Sequence, residues 1–354
     1  MLETNSSVDQ LESRLQTQFL HIRKARELAV LKRAELRTAL EEFDSEDTSI
    51  VVSGSLARNE FTAGSDIDWT LLVDGSADPQ HYDLTGRIKK VVSGLSVKET
   101  GAEGTFSTMV FSHNLIHEIG GEDDTNSNTT RRLLLLLESC PIGRDEAYQN
   151  VTRNILNRYL LEDRGFWKGS RYRVPRFLQN DFARYWRTVG VDFAYKLRTR
   201  SGQGWAIRNI KLRMSRKLIY VSGLLACFRC HVDHTPEEWN EFAESIDRRG
   251  KIVEYFGGVF QETPLEIFAH ELLRYPHLDD AARKIFNSYN EFLGILANSE
   301  QRKHLECLVE EDAENDDLYQ KARGLSHRFR DGLLEFFFDN KSGIDELTKD
   351  YGVF

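Results

Sequence analysis

Ile50-Val51-Val52-Ser53-Gly54-Ser55-Leu56-Ala57-Arg58-Asn59-Glu60-Phe61-Thr62-Ala63-Gly64-Ser65-Asp66-Ile67-Asp68-Trp69-Thr70-Leu71-Leu72-Val73 decides how this chain folds. Ile50-Val51-Val52 is a short β-branched run and reads as a buried strand that stops at Gly54-Ser55. A second strand starts at Asp66-Ile67-Asp68 and runs to Val73, where Asp74-Gly75 turns it. Side chains two apart on a strand point the same way, so Asp66 and Asp68 address one site. Two neighbouring carboxylates repel unless a cation lies between them, and hard oxygen ligands of this kind suit Mg²⁺, with Mn²⁺ as the substitute. Gly54 lets backbone come close to a phosphate, and the turn after it can offer N–H groups and the Ser55 hydroxyl to an anion.

The Gly54-Ser55 turn followed by Asp66-x-Asp68 on the next strand resembles the signature of the DNA polymerase beta-like nucleotidyltransferase superfamily, over roughly residues 47–130. Neither half of the signature is specific alone; the combination at this spacing, between two credible strands, is. In that family the Gly-Ser turn binds the β- and γ-phosphates of a nucleoside triphosphate, the two aspartates hold two Mg²⁺ ions, and a third carboxylate on a nearby strand completes the site. The resemblance therefore implies Gly54 and Ser55 as nucleotide-binding residues, and Asp66 and Asp68 as metal ligands and catalytic residues. Glu118, Asp123 and Asp124 compete for the third position. Asp124 is favoured because Thr125-Asn126-Ser127-Asn128-Thr129-Thr130 resembles the polar turn before a helix in uridylyltransferase-like members. Arg58 either steadies the phosphates or pairs with a nearby acid. The family also places a basic helix of a second domain over the nucleotide, which suits Arg208 and Lys211.

Composition bounds the rest. The 354 residues, 40% hydrophobic and 29% charged, can bury a substantial core and suggest two domains. No apolar run is long enough to span a membrane and Met1-Leu2-Glu3-Thr4-Asn5 lacks a signal-peptide pattern, so a cytoplasmic protein is expected. Four cysteines offer no disulfide framework. The net charge of -9 conceals a basic segment: residues 151–230 hold 18 Lys and Arg against 4 Asp and Glu.

The expected fold class is α+β: a nucleotidyltransferase mixed sheet flanked by helices, then a mainly helical C-terminal domain. The boundaries read as 1–46 for an N-terminal amphipathic helix, 47–145 for the catalytic domain, and 146–354 for the helical domain. Leu11, Leu15, Phe19, Ile22, Leu28, Leu31, Leu36 and Leu40 recur at helical spacing, for packing on the sheet or, less commonly, against a second copy in a homo-oligomer. Asp78-Pro79 starts a helix continued by Tyr82 to Val92. A short strand is expected at Ser96 to Thr100, a loop at Gly101 to Gly104, and mostly extended chain from Thr108 to Ile119. Thr129 or Thr130 caps a helix from Arg131 that buries Leu133 to Leu137. Helices separated by loops follow, one loop running from Arg164-Gly165 to Pro175. Glu310 to Asp317 is an acidic solvated run.

Lys196 to Lys217 carries eight cations (Lys196, Arg198, Arg200, Arg208, Lys211, Arg213, Arg216, Lys217) and no acid, divided at Gly202-Gln203-Gly204. Such a patch suits a triphosphate or a nucleic-acid acceptor; the competing reading is ordinary ion pairing with the acidic remainder. Tyr185, Trp186 and Trp205 could stack a base, though each alone is more commonly a core residue. Cys227-Phe228-Arg229-Cys230-His231, with His234, spells a haem-attachment or zinc pattern, yet Leu218 to Cys230 reads as a buried helix with Val221, Leu224, Leu225 and Phe228 on one face.

The expected activity is Mg²⁺-dependent transfer of an NMP or dNMP from a nucleoside triphosphate to a hydroxyl with release of pyrophosphate. A nucleotide or nucleic-acid acceptor is favoured over a protein because of the basic patch, in template-independent synthesis or a defence-type role. The helical region loosely resembles that of protein-PII uridylyltransferase-like enzymes, without their His-Asp hydrolase motif or regulatory repeat. The alternative is a non-catalytic nucleotide sensor or antitoxin-like partner on the same fold.

Overall fold

A computed structural model describes residues 6–95, 108–167, 173–199, 202–245, 247–338 and 342–352. In chain order the first helices are α1 (Ser7–Leu15), α2 (Leu20–Leu40), α3 (Gln80–Leu95), α4 (Ser112–Ile116), α5 (Asn126–Leu137), α6 (Glu146–Glu162) and α7 (Arg164–Trp167). They are followed by α8 (Arg176–Thr199), α9 (Trp205–Lys211), α10 (Lys217–Val232), α11 (Pro236–Glu244), α12 (Arg248–Gln261) and α13 (Pro264–Leu273). The last are α14 (Asp279–Ala297), α15 (Ser299–Cys307), α16 (Asp317–Phe338) and α17 (Ile344–Leu347). The strands are β1 (Thr48–Ser53), β2 (Asp68–Val73), β3 (Thr108–Phe111) and β4 (Ser139–Ile142).

Two compact units form: Ala25–Arg164 with Ala243–Thr263, and Met1–Lys24 with Gly165–Phe242 and Pro264–Phe354. This grouping differs from a division at residues 46 and 145, because contacts far apart in sequence decide it. The N-terminal helix breaks at Gln16, which adopts a left-handed conformation (φ 51°) and closes α1. In the helical unit α1 docks on α13: Arg14 donates to the Leu272 and Leu273 carbonyls at 3.1 and 3.0 Å, satisfying the exposed end of that helix.

The first unit is built on the mixed sheet, ordered β3-β2-β1-β4. β1 runs antiparallel to β2 and β4, so that Ser53 pairs with Asp68 on one side and Ser139 on the other. β3 lies parallel to β2, as the α3 crossover requires. On one face Ile50, Val52, Ile67, Trp69, Leu71 and Val73 pack with Ala29, Leu36 and Leu40 of α2 and Ile88 and Val92 of α3. Burying each large side chain in that layer contributes about 1.5–3 kcal/mol. Leu134 and Leu135 of α5 line the opposite face beside Val51, Ser53, Thr70 and Leu72.

Two local expectations change in this unit. Chain after Phe111 turns into α4, so only Thr108–Phe111 of the expected extended stretch is strand. The helix expected from Arg131 starts at Asn126, capped by Thr125, whose hydroxyl accepts from Asn128 N–H at 3.1 Å. Leu133 to Leu137 are all buried as expected, and β4 follows them at once. The expected strand Ser96 to Thr100 and loop Gly101 to Gly104 lie outside the described residues.

In the helical unit α14 and α16 cross closely, because a β-carbon on Gly332 would lie 2.8 Å from the Ala281 carbonyl. The stretch Leu218 to Cys230 is a helix, but nearly its whole circumference is buried, not one face. Burial pushes the Cys227 and Cys230 thiols upward. The expected loop begins instead with α7. No helix among the described residues is long and apolar enough to cross a membrane.

Candidate active site

The site starts from the alternation along β2. Ile67, Trp69 and Leu71 are at most 1% exposed, whereas Asp66 is exposed and Asp68 and Thr70 are half-buried. A strand whose odd residues enter the core presents its even ones to the other face. β2 begins at Asp68, so Asp66, expected as the first strand residue, lies exposed just before it, and it is Asp68 that the alternation turns away from the Trp69 core layer. The register puts Asp68 directly opposite Ser53, the last residue of β1.

Gly54 follows at φ +70°, the left-handed conformation that glycine adopts without penalty. A β-carbon there would lie 3.0 Å from Asp68 Oδ2, so the missing side chain opens room beside this carboxylate. The hydrogen-bonded turn that follows is closed by Arg58 N–H to Gly54 O at 3.0 Å and Glu60 N–H to Ser55 O at 2.8 Å. The Gly54 N–H itself donates to the Glu138 carbonyl at 3.2 Å, tying the turn to the end of α5. Ser55 is half-buried at its start.

Arg58 takes the second of its two expected roles. Its guanidinium, 6% exposed, pairs with Glu60 at 2.8 Å and with Glu138, whose side chains are buried as well. From the α2 side Arg33 donates to the Leu56 carbonyl and to Asn59 Oδ1 at 2.7 Å, the latter residue in a left-handed conformation. Ion pairs and side-chain donors thus brace the turn from two directions. Neither Arg33 nor the two glutamates stood out in the sequence, since their partnership with the turn is not local.

The candidates for a third carboxylate lie in the turn between α4 and α5. Glu118 accepts from Asn128 Nδ2 at 2.7 Å, and Asp123 is exposed. Asp124 is buried and faces Arg132 through both oxygens, at 3.2 and 2.9 Å, while Oδ2 also accepts from Gly120 N–H at 3.1 Å. Burial alone would lower the Arg132 guanidinium, but Tyr159 and Asp124 outweigh it and hold it above its ordinary value. Among the described residues no group of three or more Asp, Glu, His or Cys is arranged to hold a metal ion.

A cation that sequence reasoning passed over lies on the same face of the sheet. Arg131 of α5 lines a small cavity with Ser53 and Thr70, the register partner and the i+2 neighbour of Asp68. Its Nε is buried without a hydrogen-bond partner, and burial lowers its pKa. The available signal was its place as the first charge after the polar turn, but the run of leucines beside it reads as packing. A larger cavity of about 660 Å³ adjoins across Leu135, lined by Tyr148 and Arg153 of α6 and by Glu254 and Gly257 of α12. Tyr148 is hydrogen-bonded to Ser139 at 3.1 Å, and its burial pushes the phenol up to about 12.

The other nucleotide-binding candidates, Arg208 and Lys211, are on α9 in the helical unit, where Arg208 Nη1 donates to the Gln203 carbonyl at 2.9 Å. Of the three candidate stacking residues, Tyr185 is 1% and Trp205 8% exposed, whereas Trp186 is half-buried against Tyr220.

Residues 33–107 match the family model of the nucleotidyltransferase domain, consistent with a polymerase beta-like nucleotidyltransferase. The match takes in the part of α2 that carries Arg33, the braced turn, Asp66 and the strand that begins at Asp68. Those residues form a nucleotidyltransferase domain, whose general chemistry is transfer of a nucleoside monophosphate. No curated protein and no solved structure matched the chain.

Proposed function

We propose that this chain moves a nucleoside monophosphate from a nucleoside triphosphate to a hydroxyl acceptor. The observation that carries the reading is the close approach of the Gly54 turn to Asp68, where a β-carbon would lie 3.0 Å from the carboxylate, because a turn without that side chain can bring its backbone to a phosphate beside the carboxylate. Asp66 and Asp68 fit Mg²⁺, which characteristically takes one or two protein carboxylates and completes its shell with substrate phosphates and water. When bound it would neutralise phosphate charge and make the acceptor hydroxyl more acidic.

The chain's own residues do the positioning. The Gly54 turn, held rigid by Arg58 and Arg33, seats the phosphates with the Ser55 hydroxyl as a donor. Arg131 directs its positive charge to the same face and attracts the phosphates before and during transfer alike. The acceptor oxygen bonds to the α-phosphorus, the bond to pyrophosphate breaks, and the hydroxyl proton passes to solvent. An acceptor that itself carries phosphates, a nucleotide or nucleic acid, agrees with the cations of residues 196–217.

The test is incubation of the pure protein with each labelled NTP and dNTP plus Mg²⁺, resolving free, protein-linked and polymeric label. Label transfer that disappears in the Asp66→Ala/Asp68→Ala double variant, with the fold retained, is the expected result. Transfer that persists in that variant would remove the assignment, and nucleotide binding without transfer would favour a sensor.

A further inference from the structure

We propose that the helical unit carries a separate site for closely spaced phosphate groups, formed by Arg213 and Lys217 together with Arg323, His327 and Arg330. It shares Arg213 and Lys217 with the basic segment set against the acceptor above, but it belongs to the other unit from Gly54 and Asp68 and its test does not depend on transfer. On α16, Tyr319, Arg323, His327 and Arg330 recur at spacings of four, four and three residues, which puts them along one stripe. Ala322, Leu325, Ser326 and Phe329 occupy the buried side of the same helix, and Tyr319 at the head of the stripe is itself buried.

The second set of cations stands where α9 passes into α10. The backbone there makes a π-helical turn over Leu212–Arg216, an insertion that often marks a functional position. Asn209 Oδ1 accepts from Arg213 Nε at 2.8 Å and from the Tyr319 hydroxyl at 3.1 Å, joining the two elements through one atom. Trp205 packs on the Tyr319 ring with centroids 5.2 Å apart. Arg213 is thereby fixed next to the start of the α16 stripe.

Charge is the unusual feature of this surface. Asp331 pairs with Arg330 at 2.8 Å, where both are about half exposed, and Glu310 acts on Tyr319 at the start of the stripe. Among the described residues no carboxylate lies within ion-pair distance of Arg213, Lys217 or Arg323. The Arg323 Nε is buried and has no hydrogen-bond partner. The crowding is felt by its members. Burial first, then Arg213 and Arg330, lowers the Lys217 ammonium. Burial, then Arg330, Arg213 and Arg323, lowers His327 against the opposing pull of Asp331. Like charges held together in this way store repulsion that a multivalent anion relieves, and guanidinium forks match phosphate oxygens in pairs.

Such phosphates could belong to a free polyphosphate tail or to a nucleic-acid backbone, so the full chain is titrated at low salt with tripolyphosphate and with a short single-stranded oligonucleotide. The readouts are the His327 imidazole pKa by NMR and the binding affinity. Binding should raise the His327 pKa, weaken with added salt, fall at least tenfold in Arg213→Gln/Arg323→Gln, and tighten in Asp331→Asn. Response to tripolyphosphate alone identifies a free polyphosphate; response to the oligonucleotide identifies a backbone. An unmoved His327 with both ligands overturns the proposal. So does undiminished affinity in the double variant, or no tightening in Asp331→Asn, which removes an exposed carboxylate and keeps the fold intact.

Discussion

Gly54 and Asp68 are so close that a single added carbon on the first would lie 3.0 Å from Oδ2 of the second. The turn and the strand therefore meet at one point, and the shape of that point depends on a missing side chain.

Gly54→Ala should accordingly lose activity out of proportion to stability. The left-handed backbone costs a residue with a β-carbon about 1–2 kcal/mol, and the methyl group displaces the Asp68 carboxylate. Thermal melting should show a modest loss, and labelled-nucleotide transfer a loss of at least tenfold. Full transfer activity in a folded variant would contradict the role given to this contact.

Arg58→Ala should act on folding. Removing the guanidinium leaves Glu60 and Glu138 buried without their shared counter-charge, a change worth roughly 3–5 kcal/mol. Urea denaturation should report a midpoint shift of that size. A variant of normal stability that has lost nucleotide affinity would return Arg58 to the phosphates.

Asp124→Asn separates an ion-pair role from a metal role. The variant keeps the shape of the side chain but leaves Arg132, fully buried, without its carboxylate. Destabilisation of about 3–5 kcal/mol is expected, with Mg²⁺ affinity unchanged in the folded fraction. Normal stability combined with lost Mg²⁺ binding would show Asp124 to be the third ligand after all.

Arg131→Gln should raise KM for the triphosphate more than it lowers kcat, if the residue holds phosphates before and during transfer equally. A charged hydrogen bond of about 1.5–3 kcal/mol corresponds to roughly 10–100-fold in affinity. Steady-state kinetics over a range of nucleotide concentrations would check this, and an unchanged KM would exclude the contact.

Glu271 supplies a pH test in the helical unit. Its side chain is fully buried, and burial raises its carboxyl pKa against the pull of Arg274 at 3.6 Å and of Arg229. The unfolded chain therefore releases this proton first. As pH rises through the ordinary glutamate range the unfolded state gains relative to the folded one, until the folded group also ionises. Glu271→Gln should flatten that part of the stability profile and raise stability above it. A profile that keeps the wild-type slope would show that Arg274 and Arg229 cancel the cost of burial.

The site was legible where its chemistry is local. Alternation along Asp68 to Leu71 needs only neighbouring residues, although the strand starts two residues later than its pattern suggests, and the Gly54-Ser55 turn announces itself by composition. The fate of Arg58 and Asp124 was not legible, because Glu138 and Arg132 reach them through tertiary packing and the sequence offered several partners of equal merit. β4 escaped for a similar reason: Ser139-Cys140-Pro141-Ile142 has little strand character and is extended because the edge of β1 is available to it. The break at Gln16 is likewise a cap conformation that helical spacing does not reveal.

Residues Ala243–Thr263 belong to the sheet-bearing unit although a long helical stretch separates them from the rest of it. During synthesis that unit must wait, its α6 side uncovered, until α12 has left the ribosome. Cutting the gene after residue 164 would therefore yield a fragment with an open flank, and any dissection of the two units has to retain the returning segment or graft it back.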